Sequence, residues 1–252
     1  MLEAALRTSV IVITRDEAHT IEACLESVQW ADEIIVLDSG SRDATVEICR
    51  RYTDKVYETD WPGFGVQKNR ALERADGDWV LSLDADERVT PVLAEEILSR
   101  LPQSRADGFV IPFRSSYLGR FMRHGDWRGE RHLRLFRRTT GHFTDDRVHE
   151  RLIVDGEIET LRHPIEHHSF DDLEDVLDKV NRYSTEGAEL KLARGQRSSV
   201  AKALSHAFWT FFKGYLLKGG FLDGREGFLL AVSNAEGCFY RYVKLIYLQE
   251  SH

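Results

Sequence analysis

Residues 79–87 read WVLSLDADE. Trp79, Val80, Leu81 and Leu83 form the apolar run of a strand covered on both faces, as in a parallel sheet. Asp84 and Asp86 follow it, one residue apart. Two carboxylates a few ångströms apart repel by roughly 1 kcal/mol in water and by several times that at the effective dielectric of a protein. Such a pair at a strand's end makes sense where something positive sits between or above it.

Working outward, the first hundred residues alternate strand and helix patterns with short connections. Strands are expected at 9–14 (SVIVIT), 33–40 (EIIVLDSG) and 55–60 (KVYETD), with 79–86 as the fourth. Helices are expected at 18–29, at 43–52 with Asp43 as N-cap, over QKNRALERA, and at 90–101 with Thr90 capping and Pro91 in the first turn. A βα run of this kind predicts an α/β fold with a Rossmann-like, mainly parallel sheet, and ligands bind such sheets beyond the carboxyl ends of the strands. All four strands end in polar residues there: Thr14 to Glu17, Asp38 to Ser41, Asp60, and Asp84 to Glu87. After residue 104 the pattern changes to longer strands of a mixed or antiparallel extension (GFVIPFRSSYLG, RHLRLFRR, ERLIVDG), and from Asp171 onward it is helical. The expected organisation is residues 1–170 as one catalytic domain, with 8–103 as its nucleotide side and 104–170 as its acceptor side. A helical extension, 171–252, completes it.

A chain of 252 residues with 42% hydrophobic and 30% charged residues is ordinary for a soluble protein. The net charge of −8 argues against a nucleic-acid binder. Between Arg120 and Arg138 the balance reverses, with seven arginines and two histidines against Asp126 and Glu130. The three cysteines include no CxxC pair, so Cys24 and Cys49 read as buried reduced thiols. No stretch is long and apolar enough to span a membrane, and no signal peptide is legible. The tail segment FWTFFKGYLLKGGF mixes aromatics with lysines, as interfacial segments do; core packing or a dimer interface explains it equally well.

There is no P-loop, and the GxG at Gly63 and Gly65 lacks a third glycine. Carboxylates at a sheet's edge repel phosphates unless a divalent cation bridges them, which favours a metal-dependent site for a nucleotide diphosphate. The stretches SVIVITRDEAHTIEACLESV, EIIVLDSGSRDATVEI and QKNRALERADGDWVLSLDADE resemble the family 2 glycosyltransferases of the GT-A fold, closely over residues 8–100. The whole chain is similar to bacterial lipopolysaccharide core enzymes that add glucose to an inner-core heptose. The resemblance implies a mixed, mainly parallel sheet and a hexose transferred with inversion from a UDP-sugar, UDP-glucose above all. The acceptor would be inner core or another lipid-linked or surface saccharide, at the cytoplasmic face of a bacterial inner membrane. A sugar nucleotidyltransferase is the alternative, disfavoured because TRDEAHT is not a glycine- and basic-rich loop.

Residue by residue, LDADE matches the family's DxD motif. That places Asp84 near the donor ribose or the metal's water shell, and Asp86 on Mg²⁺ or Mn²⁺ bridging the diphosphate. Asp38 matches the aspartate that accepts the uracil N3–H, and Thr14 and Glu17 the loop that holds uracil and ribose. The family usually has Asn where this chain has Asp16. Lys68 is placed to meet diphosphate oxygens. For the catalytic base neither an ED pair nor QxxRW is present, so the candidates are Asp145, Asp146 and Glu150 in FTDDRVHERL, with Glu150 first because relatives carry VHE there. In PIEHHSF the matching histidine is His167, a further metal ligand or a diphosphate partner.

Overall fold

The apolar runs at 9–14, 33–37 and 79–83 lie side by side in the middle of one sheet. In the computed structural model, which describes residues 6–145, 150–170 and 172–250, the elements run in this order: β1 (Thr8–Thr14), α1 (Ile21–Glu26), β2 (Glu33–Asp38), α2 (Thr45–Cys49), β3 (Val56–Glu58), α3 (Phe64–Leu72), β4 (Trp79–Asp84), β5 (Glu87–Val89), α4 (Pro91–Arg100), β6 (Gly108–Tyr117), β7 (Arg120–Phe121), β8 (Arg131–Arg137), β9 (Gly141–Phe143), β10 (Leu152–Val154), β11 (Ile158–Thr160), β12 (Ile165–Phe170), α5 (Leu173–Ala193), α6 (Val200–Phe212) and α7 (Gly224–Glu250). They form two units. The first takes the chain through Phe113 together with Gly129–His167; the second takes Arg114–Arg128 and the residues from His168 on.

The sheet has the order β3-β2-β1-β4-β8-β6-β12-β5. β3, β2, β1 and β4 are parallel, and β8 joins β4 antiparallel, so the sheet is mixed as the sequence predicts. Side chains alternate across β1: Val10 and Val12 pack with Trp79, Leu81 and Leu83 against α1 and α4, while Ile11 and Ile13 pack with Val80, Ala71 and Phe143 on the other face. Both faces are covered, which is why these strands carry apolar residues on both. β9 and β10 pair with each other in a separate two-stranded sheet.

Thr90 caps α4, its Oγ1 accepting from the Leu93 N–H at 3.3 Å, with Pro91 opening the helix. The N-cap expected at Asp43 is corrected: α2 starts at Thr45 behind Ala44, which makes no side-chain cap. Asp43 instead accepts the N–H groups of Thr45 and Ala18, tying the loop after β1 to the one after β2. Cys24 and Cys49 are buried free thiols, and burial pushes both up, Cys49 to about 12.

In the second unit α5 and α6 both pack on α7. Lys244 fastens α7 to α5, its Nζ donating to the Asn181 carbonyl and to the side chains of Asn181, Ser184 and Thr185. Trp127 stacks on Phe170 at 5.7 Å beside Tyr117 and Met122. No helix among the described residues is long and apolar enough to cross a membrane.

Candidate active site

Strand register lines up the edge residues. Thr14 pairs with Asp38, and Ile13 with Asp84, so β2, β1 and β4 present Asp38, Thr14 and Asp84 in a row. Two strand spacings separate Asp38 from Asp84, roughly 10 Å, comparable to the reach from a nucleobase through its ribose to a diphosphate. Asp38 is 1% exposed and organises its own turn: Oδ2 accepts the N–H groups of Gly40 and Ser41 at 2.9 and 2.8 Å, and Oδ1 the Ser41 hydroxyl. Of the roughly four lone-pair sites of a carboxylate, one on Oδ1 is left over. Thr14 is buried, and its Oγ1 has no hydrogen-bond partner among the described residues. Glu17 accepts the Thr20 hydroxyl at 2.8 Å.

Asp84 lies between two cations. Lys68 Nζ sits 3.0 Å from its Oδ1 and 2.9 Å from Glu150 Oε1, while Arg134 Nη2 donates to Asp84 Oδ2 at 2.9 Å and to Glu87 Oε1 at 2.5 Å. The Asp84 N–H closes the ring onto Glu87 Oε2 at 3.0 Å. The row Glu150–Lys68–Asp84–Arg134–Glu87 thus alternates in sign. Lys68 is 4% exposed and Glu87 1%. Burial raises the Asp84 pKa, but Lys68 and Arg134 outweigh it and hold the carboxyl well below the usual range. Glu87 goes the other way: burial, reinforced by Asp84 and Asp86, pushes it to about 7 against the pull of Arg134.

Asp86, at the turn between β4 and β5, has His167 Nε2 3.3 Å from its Oδ2. β12 brings the histidine there by pairing antiparallel with β5, His167 opposite Glu87. The next residue, His168, lies on the other face of the strand, its ring 5.3 Å from that of Phe121. Burial lowers the His167 pKa, yet the bond to Asp86 and the charges of Asp86, Glu87 and Asp84 win and raise it. Among the described residues no group of three or more His, Cys, Asp or Glu side chains converges as a ready metal cage. Mg²⁺ is commonly held by one or two carboxylates with substrate phosphates and water, and Mn²⁺ also accepts imidazole. The oxygen and nitrogen of Asp86 and His167 suit that donor set.

Gly65 explains how Glu150 reaches Lys68. A Cβ on Gly65 would lie 1.8 Å from the Thr144 carbonyl oxygen and 3.3 Å from Glu150 Cβ. The missing side chain lets α3 lie against the chain at Thr144 and Glu150, and Lys68 is three residues further along the same helix face. Gly65→Ala is expected to cost about 1–3 kcal/mol through overpacking and to lower activity by moving Glu150; unchanged urea midpoint and rate would contradict this. Lys68→Met should cost about 3 kcal/mol, as for one partner lost from a buried ion pair. A stability equal to wild type in denaturant titration would show that the lysine does not hold the two acids together.

The structure therefore gathers Lys68, Asp84, Asp86, Glu150 and His167 at one edge, with Thr14 and Asp38 along it. Lys68 is not an exposed helix lysine; two carboxylates hold it. Asp146 lies outside the described residues, and Asp145 is exposed. Sequence reasoning did not single out Arg134 and Glu87. The signal for Glu87 was its place directly after DAD in a strand-edge turn. Arg134 was hidden among seven arginines, of which it is the one that meets Asp84.

Residues 9–153 match the model of the family described as glycosyl transferase family 2. A lipopolysaccharide core biosynthesis glycosyltransferase, LpsC of Rhizobium meliloti, is 29% identical over 95% of this chain and 92% of its own length. An uncharacterized glycosyltransferase of Rickettsia bellii is 29% identical over 95% and 86%. Among solved structures, residues 1–349 of S. aureus TarS match 98% of this chain and 92% of that one with a TM-score of 0.50 at 16% identity; the likeness is one of fold, the GT-A arrangement.

Proposed function

The chain belongs to glycosyl transferase family 2, and on that premise we propose that it moves a hexose, glucose first, from a UDP-sugar to a saccharide of the lipopolysaccharide inner core with inversion. The observation that carries this is the row Glu150–Lys68–Asp84–Arg134–Glu87 beside the Asp86–His167 pair, at the carboxyl edge of the sheet. The likeness to LpsC over nearly the whole chain supports the acceptor.

In this reading Asp38 offers its remaining lone pair to the uracil N3–H, a proton that cytosine lacks, and Thr14 and Glu17 border the base and ribose. Asp86 and His167 would hold Mg²⁺ or Mn²⁺, which when bound supplies Lewis-acid neutralisation of the leaving diphosphate. Lys68 and Arg134 fix Asp84 in its ionised form, and Lys68 also holds Glu150. Glu150 takes the proton of the acceptor hydroxyl as that oxygen bonds to the anomeric carbon and the bond from carbon to diphosphate breaks, releasing UDP. Attack from the face opposite the leaving group inverts the anomeric centre.

The test is incubation with Mn²⁺, a panel of UDP-, GDP- and CMP-sugars and inner-core oligosaccharide, followed by mass spectrometry. A gain of one hexose from a UDP-sugar, with UDP released, is expected; transfer from a GDP- or CMP-sugar alone would overturn the donor assignment. Asp38→Ala should weaken UDP binding by roughly 1–3 kcal/mol, whereas Ser41→Ala, which removes only the turn's hydroxyl, should leave it near wild type. Equal UDP affinity in calorimetry for Asp38→Ala and wild type would reduce Asp38 to a turn residue.

A further inference from the structure

The second unit carries an apolar surface that its own fold leaves uncovered. Leu204 and Phe208 stand one helical turn apart on α6, Trp209 beside them, and Leu217, Phe221 and Leu222 follow through a π-helical turn at Lys213–Leu217 and a 3₁₀ turn at Gly220–Asp223. Phe208 is 69% exposed, and Leu204, Trp209, Leu217 and Leu222 each more than half. A soluble protein rarely shows so many large apolar side chains together unless something covers them.

What covers them is indicated by charge. Two of the basic groups here are already matched, Lys218 Nζ lying 2.8 Å from Asp126 and Arg225 2.8 Å from Glu226, yet residues 197–225 themselves hold five Lys and Arg against one acid, Asp223, in a chain whose net charge is −8. That acid is buried and spent: Asp223 accepts the N–H groups of Arg123 and His124 and bonds to His124 Nδ1. By doing so it shapes a cleft of about 580 Å³ that is lined by Arg114, Arg120 and Arg123. Arg114 lies over the Phe121 ring at 4.6 Å, and Arg120 is paired at 3.3 Å with Glu226. Leu222 lines this cleft and is at the same time part of the exposed apolar run. The turn that carries Arg123 is bonded to the run as well, Gly125 N–H donating to the Lys218 carbonyl at 3.0 Å. Apolar run and arginine cleft are therefore one surface. A second copy of the chain fits it poorly, because a two-fold contact would set the same positive residues against each other.

We propose that this face of the second unit docks on an anionic lipid bilayer. Its apolar side chains sit at the level of the headgroups and upper acyl chains, and a lipid phosphate enters the cleft of Arg114, Arg120 and Arg123. Aromatic and aliphatic groups beside basic ones are the pattern of interfacial binding, and arginine pairs bidentately with phosphate. The inference is independent of the donor, the metal and the catalytic base, since it concerns the protein without substrate.

Flotation of the full-length protein with phosphatidylglycerol and with phosphatidylcholine vesicles tests it. Binding to the anionic vesicles at least tenfold tighter, and weakened by salt, is expected. Arg123→Ala and Lys213→Glu should each weaken it roughly fivefold or more, and Phe208→Ser with Trp209→Ser should abolish it. These positions are exposed, so the variants should keep the wild-type melting temperature and transfer to a water-soluble acceptor. Equal affinity for neutral vesicles, or retention by Phe208→Ser/Trp209→Ser, overturns the proposal. So does a dimer in analytical ultracentrifugation that the Phe208 and Trp209 replacements dissolve in a protein that does not float with vesicles.

Discussion

Replacing Glu150 by Gln should lower transfer by about 10²–10⁴-fold, the range that a positioned general base contributes. The amide keeps the size of the side chain and still offers an oxygen to Lys68 Nζ, 2.9 Å away in the wild type, so the fold and the position of α3 should persist. It cannot take a proton. Donor affinity should therefore stay near wild type, because Glu150 acts on the acceptor and not on the diphosphate. The informative comparison is with Asp146→Asn, four residues earlier. If Asp146→Asn abolishes transfer while Glu150→Gln works at the wild-type rate, the base is Asp146 and Glu150 only steadies Lys68. Lys68→Met separates these roles further: a purely structural Glu150 would make the Lys68 and Glu150 defects similar in stability and mild in rate.

Asp86→Asn should cost roughly 10²–10³-fold in rate, a loss of several kcal/mol of charge neutralisation at the leaving diphosphate. EDTA should inhibit the wild type to a similar depth, reversed by Mn²⁺ or Mg²⁺. Asp86 is outside the Lys68–Asp84–Arg134 row and is paired with the ring of His167, so stability should barely move. His167→Ala should raise the Mn²⁺ concentration needed for half activity while leaving the rate at saturating metal closer to wild type. Full activity in EDTA would refute the metal assignment for this pair. Asp84→Asn gives the contrast: it breaks a row of alternating charges, so its effect should include a lower melting temperature.

The parallel half of the sheet was legible because its causes are local. Runs such as SVIVIT and WVLSL carry apolar residues on both faces of the strand, as a strand covered on both sides requires, and each ends in polar residues at the edge where ligands bind. Thr90 with Pro91 marked the start of α4 for the same reason: a cap acts within one turn. The helices after residues 18 and 43 were expected longer than the six and five residues that form, since loops tied down by Asp43 and Thr45 take over the flanking positions. The family resemblance named Asp84 and Asp86 together with Lys68, Glu150 and His167, but not the ion pairs of Lys68 with Asp84 and Glu150.

By itself the sequence determined the fold class and the edge on which a site would lie, because strand periodicity acts over a few residues, and its resemblance to the family named most of the side chains expected there. Only the tertiary structure decided who pairs with whom. Lys68 meets Glu150 across 82 positions of chain, Arg134 meets Asp84 across 50, and His167 reaches Asp86 because β12 returns antiparallel to β5. The strength of such contacts depends on burial and on strand register, which a linear pattern does not encode. The same holds for the second unit: aromatics and lysines in FWTFFKGYLLKGGF read equally as core or as surface, and packing of α6 on α7 settled which rings were left exposed.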